Sequence, residues 1–115
     1  MTQLVADIFW VGDSRKVLKA FPKDVRLELG ASLRLLQQGT VPKNSRRMES
    51  VGKGIWELKE QDDRTWYRVI YMAKVGNKIF VLHCFEKASR KTEKTDLAIA
   101  KNRHSAVMAL LREGK

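Results

Sequence analysis

The sequence predicts an α+β fold. It combines a small twisted antiparallel β-sheet of about four strands with an N-terminal helical hairpin packed on one face and a further helix at the C-terminus. Three observations predict it. Leu4 to Trp10 is a short apolar run closing on Gly12-Asp13-Ser14, residues 23–38 repeat apolar side chains at helical spacing, and residues 55–85 divide into three strand-like runs separated by turn signals. The chain has 115 residues, 43% of them hydrophobic, which is the size of one ordinary domain with material for one core. Residues 1–115 are therefore expected to form a single folding unit.

From Leu4 to Trp10 only Asp7 is polar, so the run reads as a first strand, followed by a helix N-cap at Gly12-Asp13-Ser14. Arg15 to Phe21 has a helical pattern that stops at Pro22. Lys23 to Gln38 then sets Val25, Leu29, Leu33 and Leu36 on one stripe before Gly39, which gives a helical hairpin with one buried face. Thr40 to Lys53 contains Pro42 and Gly52 and four cations, Lys43, Arg46, Arg47 and Lys53; it reads as an ordered but irregular, exposed connection. Ile55 to Glu60, Thr65 to Lys74 and Lys78 to Phe85 follow as an antiparallel meander, with turns at Asp62-Asp63 and Gly76-Asn77. The last helix, Lys94 to Arg112, carries Leu97, Ala100, His104, Val107 and Leu111 on one stripe.

Charge narrows the partners. With 23 Lys and Arg against 13 Asp and Glu, the net charge is +10 and the pI near 10.1. Such a field attracts polyanions, whether nucleic acid, an anionic membrane or an acidic protein. No apolar run approaches the roughly 20 residues that span a bilayer, and Met1 to Trp10 lacks the basic start and long apolar middle of a signal peptide. The expectation is a cytoplasmic protein with no membrane partner. A lone Cys84 cannot form an internal disulfide, and with only His83 and His104 beside it there is no metal-ligand spacing, so neither a metal nor another cofactor is expected.

If Gly76-Asn77 is a two-residue turn, Val75 pairs with Lys78, Ile70 with His83, Arg68 with Phe85 and Trp66 with Lys87. Centring the other turn on Asp62-Asp63 sets Glu57 opposite Arg68 and Lys59 opposite Trp66. One face then carries Trp56, Leu58, Tyr67, Val69, Tyr71, Phe80, Leu82 and Cys84, the side that helices would cover. The other carries Glu57, Lys59, Trp66, Arg68, His83, Phe85 and Lys87. Cations, a histidine and rings on one face are the residue types that hold phosphates while stacking on unpaired bases. That second face, left bare by the helices, is the expected nucleic-acid surface.

Four stretches in this order, Asp13-Ser14-Arg15-Lys16, Gly54-Ile55-Trp56-Glu57-Leu58-Lys59-Glu60, Tyr67-Arg68-Val69-Ile70-Tyr71 and Val81-Leu82-His83-Cys84-Phe85-Glu86-Lys87 running into Arg90-Lys91-Thr92-Glu93-Lys94-Thr95, resemble the RelE/ParE superfamily, in its phage-derived HigB-like branch. The resemblance covers nearly the whole chain. It implies a toxin that enters the ribosomal A site and cuts mRNA without a metal. It also implies a cognate helix-turn-helix antitoxin that neutralises the toxin in a hetero-oligomer. In the implied reaction the mRNA 2′-hydroxyl attacks the neighbouring phosphate, so the protein must orient the strand, stabilise negative charge and move protons.

By position in its motif Arg68 corresponds to the family's phosphate-contacting arginine, and Lys87 to the basic residue after the last strand. Arg90, Lys91 and Lys94 fall where members place RNA or ribosome contacts, and Arg46, Arg47 and Lys59 extend the basic surface. Relatives often use a C-terminal Tyr, or His with Asp, for acid–base chemistry; here the last helix offers only His104, and His83 is the alternative proton donor. Replacing Arg68 or Lys87 by Ala is expected to relieve growth arrest with the fold intact.

Each residue also has a structural reading. Arg68 suits an ion pair with Glu57, and His83 a hydrogen-bonded structural role. Trp66 and Phe85 either stack on bases or pack beneath loops, His104 and Cys84 suit packing, and Trp10, Trp56 and Tyr71 suit the core. Two other functions stay open: a non-catalytic nucleic-acid-binding module, and a gyrase inhibitor of the same fold.

Overall fold

The chain runs β1 (Asp7–Trp10), α1 (Ser14–Lys19), α2 (Lys23–Gln37), β2 (Ser45–Arg47), β3 (Ile55–Gln61), β4 (Trp66–Val75), β5 (Lys78–Lys87) and α3 (Lys94–Glu113) in a computed structural model that describes residues 5–75, 77–87 and 94–113. The α+β class, the helical hairpin, the meander and the last helix lie where the sequence puts them. The sheet has five strands in the order β1-β5-β4-β3-β2, and it is mixed because β1 pairs with β5 in parallel. Two features separate it from a four-stranded antiparallel sheet. The chain enters at one edge and the hairpin carries it across a whole face, so β1 meets the last strand rather than its sequence neighbour. β2 is three polar residues without apolar alternation, yet it pairs with β3 and makes the other edge.

Pro22, which has no N–H to continue a helix, separates α1 from α2. The stripe of α2 buries Val25, Leu29 and Leu33, with Leu36 half-buried, against Leu58, Val69, Tyr71 and Val81 of the sheet. α3 covers the opposite face, where Ala100 and Val107, flanked by Leu97 and Leu111, pack on Ile55, Ile70, Met72, Leu82 and Phe85. The second face is therefore not left bare. The apolar stripe of α3 was readable in the sequence; the face it would take was not.

The β4–β5 pairs Val75 with Lys78, Ile70 with His83, Arg68 with Phe85 and Trp66 with Lys87 all form, although Gly76 of the expected turn lies outside the described residues. Between them Tyr71 pairs with Val81 and Met72 with Phe80, so Leu82 is an extra residue in β5, a β-bulge. The bulge reverses side-chain parity. Ile79 and Val81 face the hairpin, whereas Leu82 and Phe80, expected there, face α3.

The β3–β4 register also differs from expectation, since Glu57 pairs with Ile70 and Lys59 with Arg68. The turn spans more residues than Asp62-Asp63 because the Asp62 carboxylate folds it over the next three. Asp62 Oδ1 accepts from the amides of Arg64 (3.1 Å) and Thr65 (2.9 Å), and Tyr67 Oη donates to Oδ2 (2.8 Å). An offset of two residues preserves the faces. Among the described residues no helix is long and apolar enough to cross a membrane.

Candidate nucleic-acid interface

β3, β4 and β5 alternate their side chains so that Glu57, Lys59, Trp66, Arg68, His83, Phe85 and Lys87 share the α3 side of the sheet. They divide into three groups. At the centre Arg68 is fully buried, and its Nη1 donates to both Glu57 oxygens at 3.1 and 3.0 Å. The same carboxylate takes Nε of Arg46 at 3.4 Å, and Arg46 reaches it from edge strand β2 with its side chain 60% exposed. One carboxylate thus links an interior cation to a surface one. The expectation of a solvent-facing Arg68 is corrected: its structural reading, the pair with Glu57, is realised, and in the interior rather than at the surface.

The second group is built on β5 and the first turns of α3. His83 Nε2 lies 2.9 Å from Asp96 Oδ1, and Lys87 Nζ 3.3 Å from Asp96 Oδ2. Arg103 donates through Nη1 to the carbonyl of Leu82 at 3.0 Å and approaches His83 Nδ1 at 3.5 Å, while its Nη2 donates to Asp13 Oδ1 at 2.9 Å. His83 keeps its expected place opposite Ile70 on the α3 side, and its ring stacks on Phe85 with centroids 5.0 Å apart. Phe85 is thus buried beneath His83 rather than offered to a base. Asp13, expected as a capping residue, makes no side-chain cap bond to α1. The Arg103 guanidinium holds its carboxyl below the ordinary range, chiefly through that hydrogen bond.

The third group is open to solvent. A shallow groove of about 330 Å³ is lined by Lys43, Asn44, Arg46, Lys59, Gln61 and Trp66 among others, and Lys59 Nζ lies over the half-buried Trp66 ring, 5.1 Å from its centroid. Cations beside an accessible indole suit a sugar-phosphate chain whose bases are unpaired. On the other sheet face Arg47 lies over Trp56 at 5.6 Å. Lys94 is exposed at the start of α3, and Arg90 and Lys91 lie outside the described residues. His104 packs over Gly52, where an added Cβ would meet its Cε1 at 2.6 Å. Among the described residues no group of three or more His, Cys, Asp or Glu is placed to hold a metal.

A family model described as "Phage derived protein Gp49-like" matches residues 16–105. The chain belongs to the phage-derived Gp49-like family. The match contains every described site residue named above except Asp13. No curated protein sequence matches this Gp49-like chain. Among solved structures, the free state of a doubly substituted RelE toxin from Escherichia coli superposes with a TM-score of 0.60 at 14% identity, covering 87% of this chain and 97% of that one. That likeness establishes a RelE-like fold for this Gp49-like protein.

Sequence reasoning brought Arg68, His83 and Lys87 to one face but missed Asp96, Arg103 and Asp13. A signal existed for two of them. Asp96, Ala100, Arg103 and Val107 recur at helical spacing, so the polar pair lies on the buried stripe, where a charged residue calls for a partner. Asp13 had none, since it reads as an ordinary N-cap.

Proposed function

We propose that this Gp49-like chain is the toxin of a type II toxin–antitoxin pair, a ribosome-dependent mRNA endonuclease acting in the cytoplasm and neutralised by a helix-turn-helix antitoxin in a hetero-oligomer. One observation carries the reading: the open Arg46–Lys59–Trp66 groove adjoins a His–Asp–Lys constellation on one face of a RelE-like sheet. In this reading the strand lies in the groove with a base against Trp66. Lys59 exchanges the ring for a phosphate, and Arg46 takes a second phosphate from its exposed position.

Attack of a 2′-hydroxyl on the adjacent phosphorus forms a 2′,3′-cyclic phosphate and expels the 5′-oxygen. The proton leaves the 2′-hydroxyl and one is delivered to the 5′-oxygen. Lys87 supplies charge to the phosphoryl oxygens, and His83, oriented by Asp96, carries a proton. Arg68 holds Glu57 and with it Arg46, acting as a positioning residue and not as a direct phosphate ligand.

Adding purified protein to a translating extract and mapping mRNA ends tests this. Cuts within ribosome-bound message, lost in Lys87→Ala, are expected; unbroken message with active wild-type protein refutes it. A second reading, a non-catalytic RNA-binding module, is favoured by His83, both of whose ring nitrogens face protein groups. It requires salt-dependent binding without any cut. Inhibition of supercoiling with intact message would point instead to gyrase.

A further inference from the structure

Edge strand β2 sends consecutive arginines to opposite sheet faces, and each meets a tryptophan-lined groove. Arg46 pairs across the strands with Glu57 on the α3 face and lines the groove of Trp66. Arg47 pairs with Trp56 on the hairpin face, where a second groove of about 310 Å³ is lined by Arg47, Glu49, Lys53, Gly54, Ile55 and Trp56. Trp56 is half-buried, with the Arg47 guanidinium 5.6 Å from its ring centroid, while Arg47 and Lys53 are exposed. The composition of the first groove, two or more cations with one indole, thus recurs on the other face of the same sheet edge. A β-strand places successive side chains on opposite faces, so Arg46 and Arg47 bring the two grooves together at β2, the first reaching along β3 to Gln61 and the second toward Gly54.

A single-stranded nucleic acid can use both grooves, since its backbone turns freely and every base has a face to stack. A duplex cannot, because its paired bases are already stacked on one another. Glu49, itself in the lining of the second groove, disfavours a purely electrostatic, diffuse anion site. A phosphate must sit against Arg47 and Lys53 and away from this carboxylate, which fixes its position.

We infer that the β2 edge carries a bipartite single-strand RNA site, in which the strand crosses from the Trp66 groove over Arg46-Arg47 to the Trp56 groove. This rests on the RNA reading above and adds to it a second subsite on the face away from the His–Asp–Lys constellation. The second subsite takes a nucleotide through stacking on Trp56 and its phosphate through Arg47 and Lys53. It holds the strand without touching the reacting atoms.

The test uses the three indole N–H signals of the ¹⁵N-labelled full chain, assigned by Trp→Phe variants. The ligand is a 2′-O-methyl uridine hexamer, whose blocked hydroxyls prevent cleavage. Signals of both Trp56 and Trp66 are expected to shift on titration, while that of Trp10, on β1 at the opposite edge of the sheet from β2, stays. Arg47→Ala and Lys53→Ala should each abolish the Trp56 shift, leave the Trp66 shift and weaken affinity roughly three- to tenfold, as loss of a phosphate contact does. Both residues are exposed, and the remaining spectrum reports that the fold is retained. Movement of Trp66 alone, or full Trp56 shift and affinity in both variants, overturns the second subsite and leaves the first intact. Silence of all three indoles overturns the RNA reading itself.

Discussion

Arg68 and Glu57 are both fully buried, and their energetics decide how any variant at this site is read. Removing one partner of a buried ion pair leaves an uncompensated charge and costs about 3–5 kcal/mol, whereas replacing both by apolar residues is often close to neutral. Arg68→Ala leaves the Glu57 carboxylate with the exposed Arg46 at 3.4 Å, so a loss of up to about that much stability is expected in urea denaturation, contrary to the expectation of an intact fold. The double variant Arg68→Met with Glu57→Leu should regain most of it. If the double variant is no more stable than the single, the pair is not the main source of the loss. Loss of the proposed activity in Arg68→Ala alone thus says nothing about chemistry, and Lys87→Ala is the more informative variant. Cys84 offers a second residue-level test. Burial pushes its thiol up to about 12, so at neutral pH it stays in the unreactive thiol form. Native protein is expected to resist thiol reagents, and labelling should follow unfolding by denaturant; prompt labelling of folded protein would contradict the buried placement.

Between elements, α3 is fastened to the β1–α1 junction by Arg103, and Gly12 makes room for the fastening. Gly12 has φ +58°, and an added Cβ would meet Arg103 Cζ at 2.6 Å. Gly12→Ala combines a left-handed backbone cost of roughly 1–2 kcal/mol with displacement of the guanidinium from Asp13 and the Leu82 carbonyl. A lower melting temperature is expected, together with faster amide exchange in the first half of α3; unchanged exchange there would show that α3 docks without Arg103. The β3–β4 turn is pH-sensitive with a definite sign. Hydrogen bonding, first from Tyr67 and then from the Arg64 and Thr65 amides, lowers the pKa of Asp62 below its ordinary 3.8. Its stabilisation is present above that value and lost as pH falls through the folded one. Asp62→Ala should reduce stability at neutral pH and flatten the acid limb of the stability profile.

At this scale the sequence was most legible. Helical periodicity placed α2 and α3, and alternation placed β3, β4 and β5. Three local events escaped it. The Leu82 bulge reverses parity without any Gly or Pro to mark it, β2 is made by pairing rather than by its own pattern, and the Asp62 turn depends on a side chain folding back on its own amides. Candidate residues survived the register errors because an offset of two keeps a face. Their exposure did not, because it depends on where α3 docks.

For the whole molecule, the +10 charge and the β2-edge grooves make separable contributions to binding. Net charge acts at a distance and mainly speeds encounter, over a screening length of about 10 Å at 0.1 M salt. A phosphate held in a groove releases its counterions, and for single strands each such contact changes the slope of log K against log salt by about 0.7. If the grooves make the contacts, Arg46→Ala, Arg47→Ala and Lys59→Ala should each reduce the slope for a single-stranded oligonucleotide by about 0.7. Arg15→Ala, which removes the same charge from α1 on the hairpin side, should leave it unchanged. Equal losses from all four would mean that the basic surface binds as a diffuse cloud, with no preferred path. A selective loss from the β2 and β3 cations would mean that the fold, by pairing three polar residues onto a sheet edge, has gathered part of a general positive charge into a track for one strand.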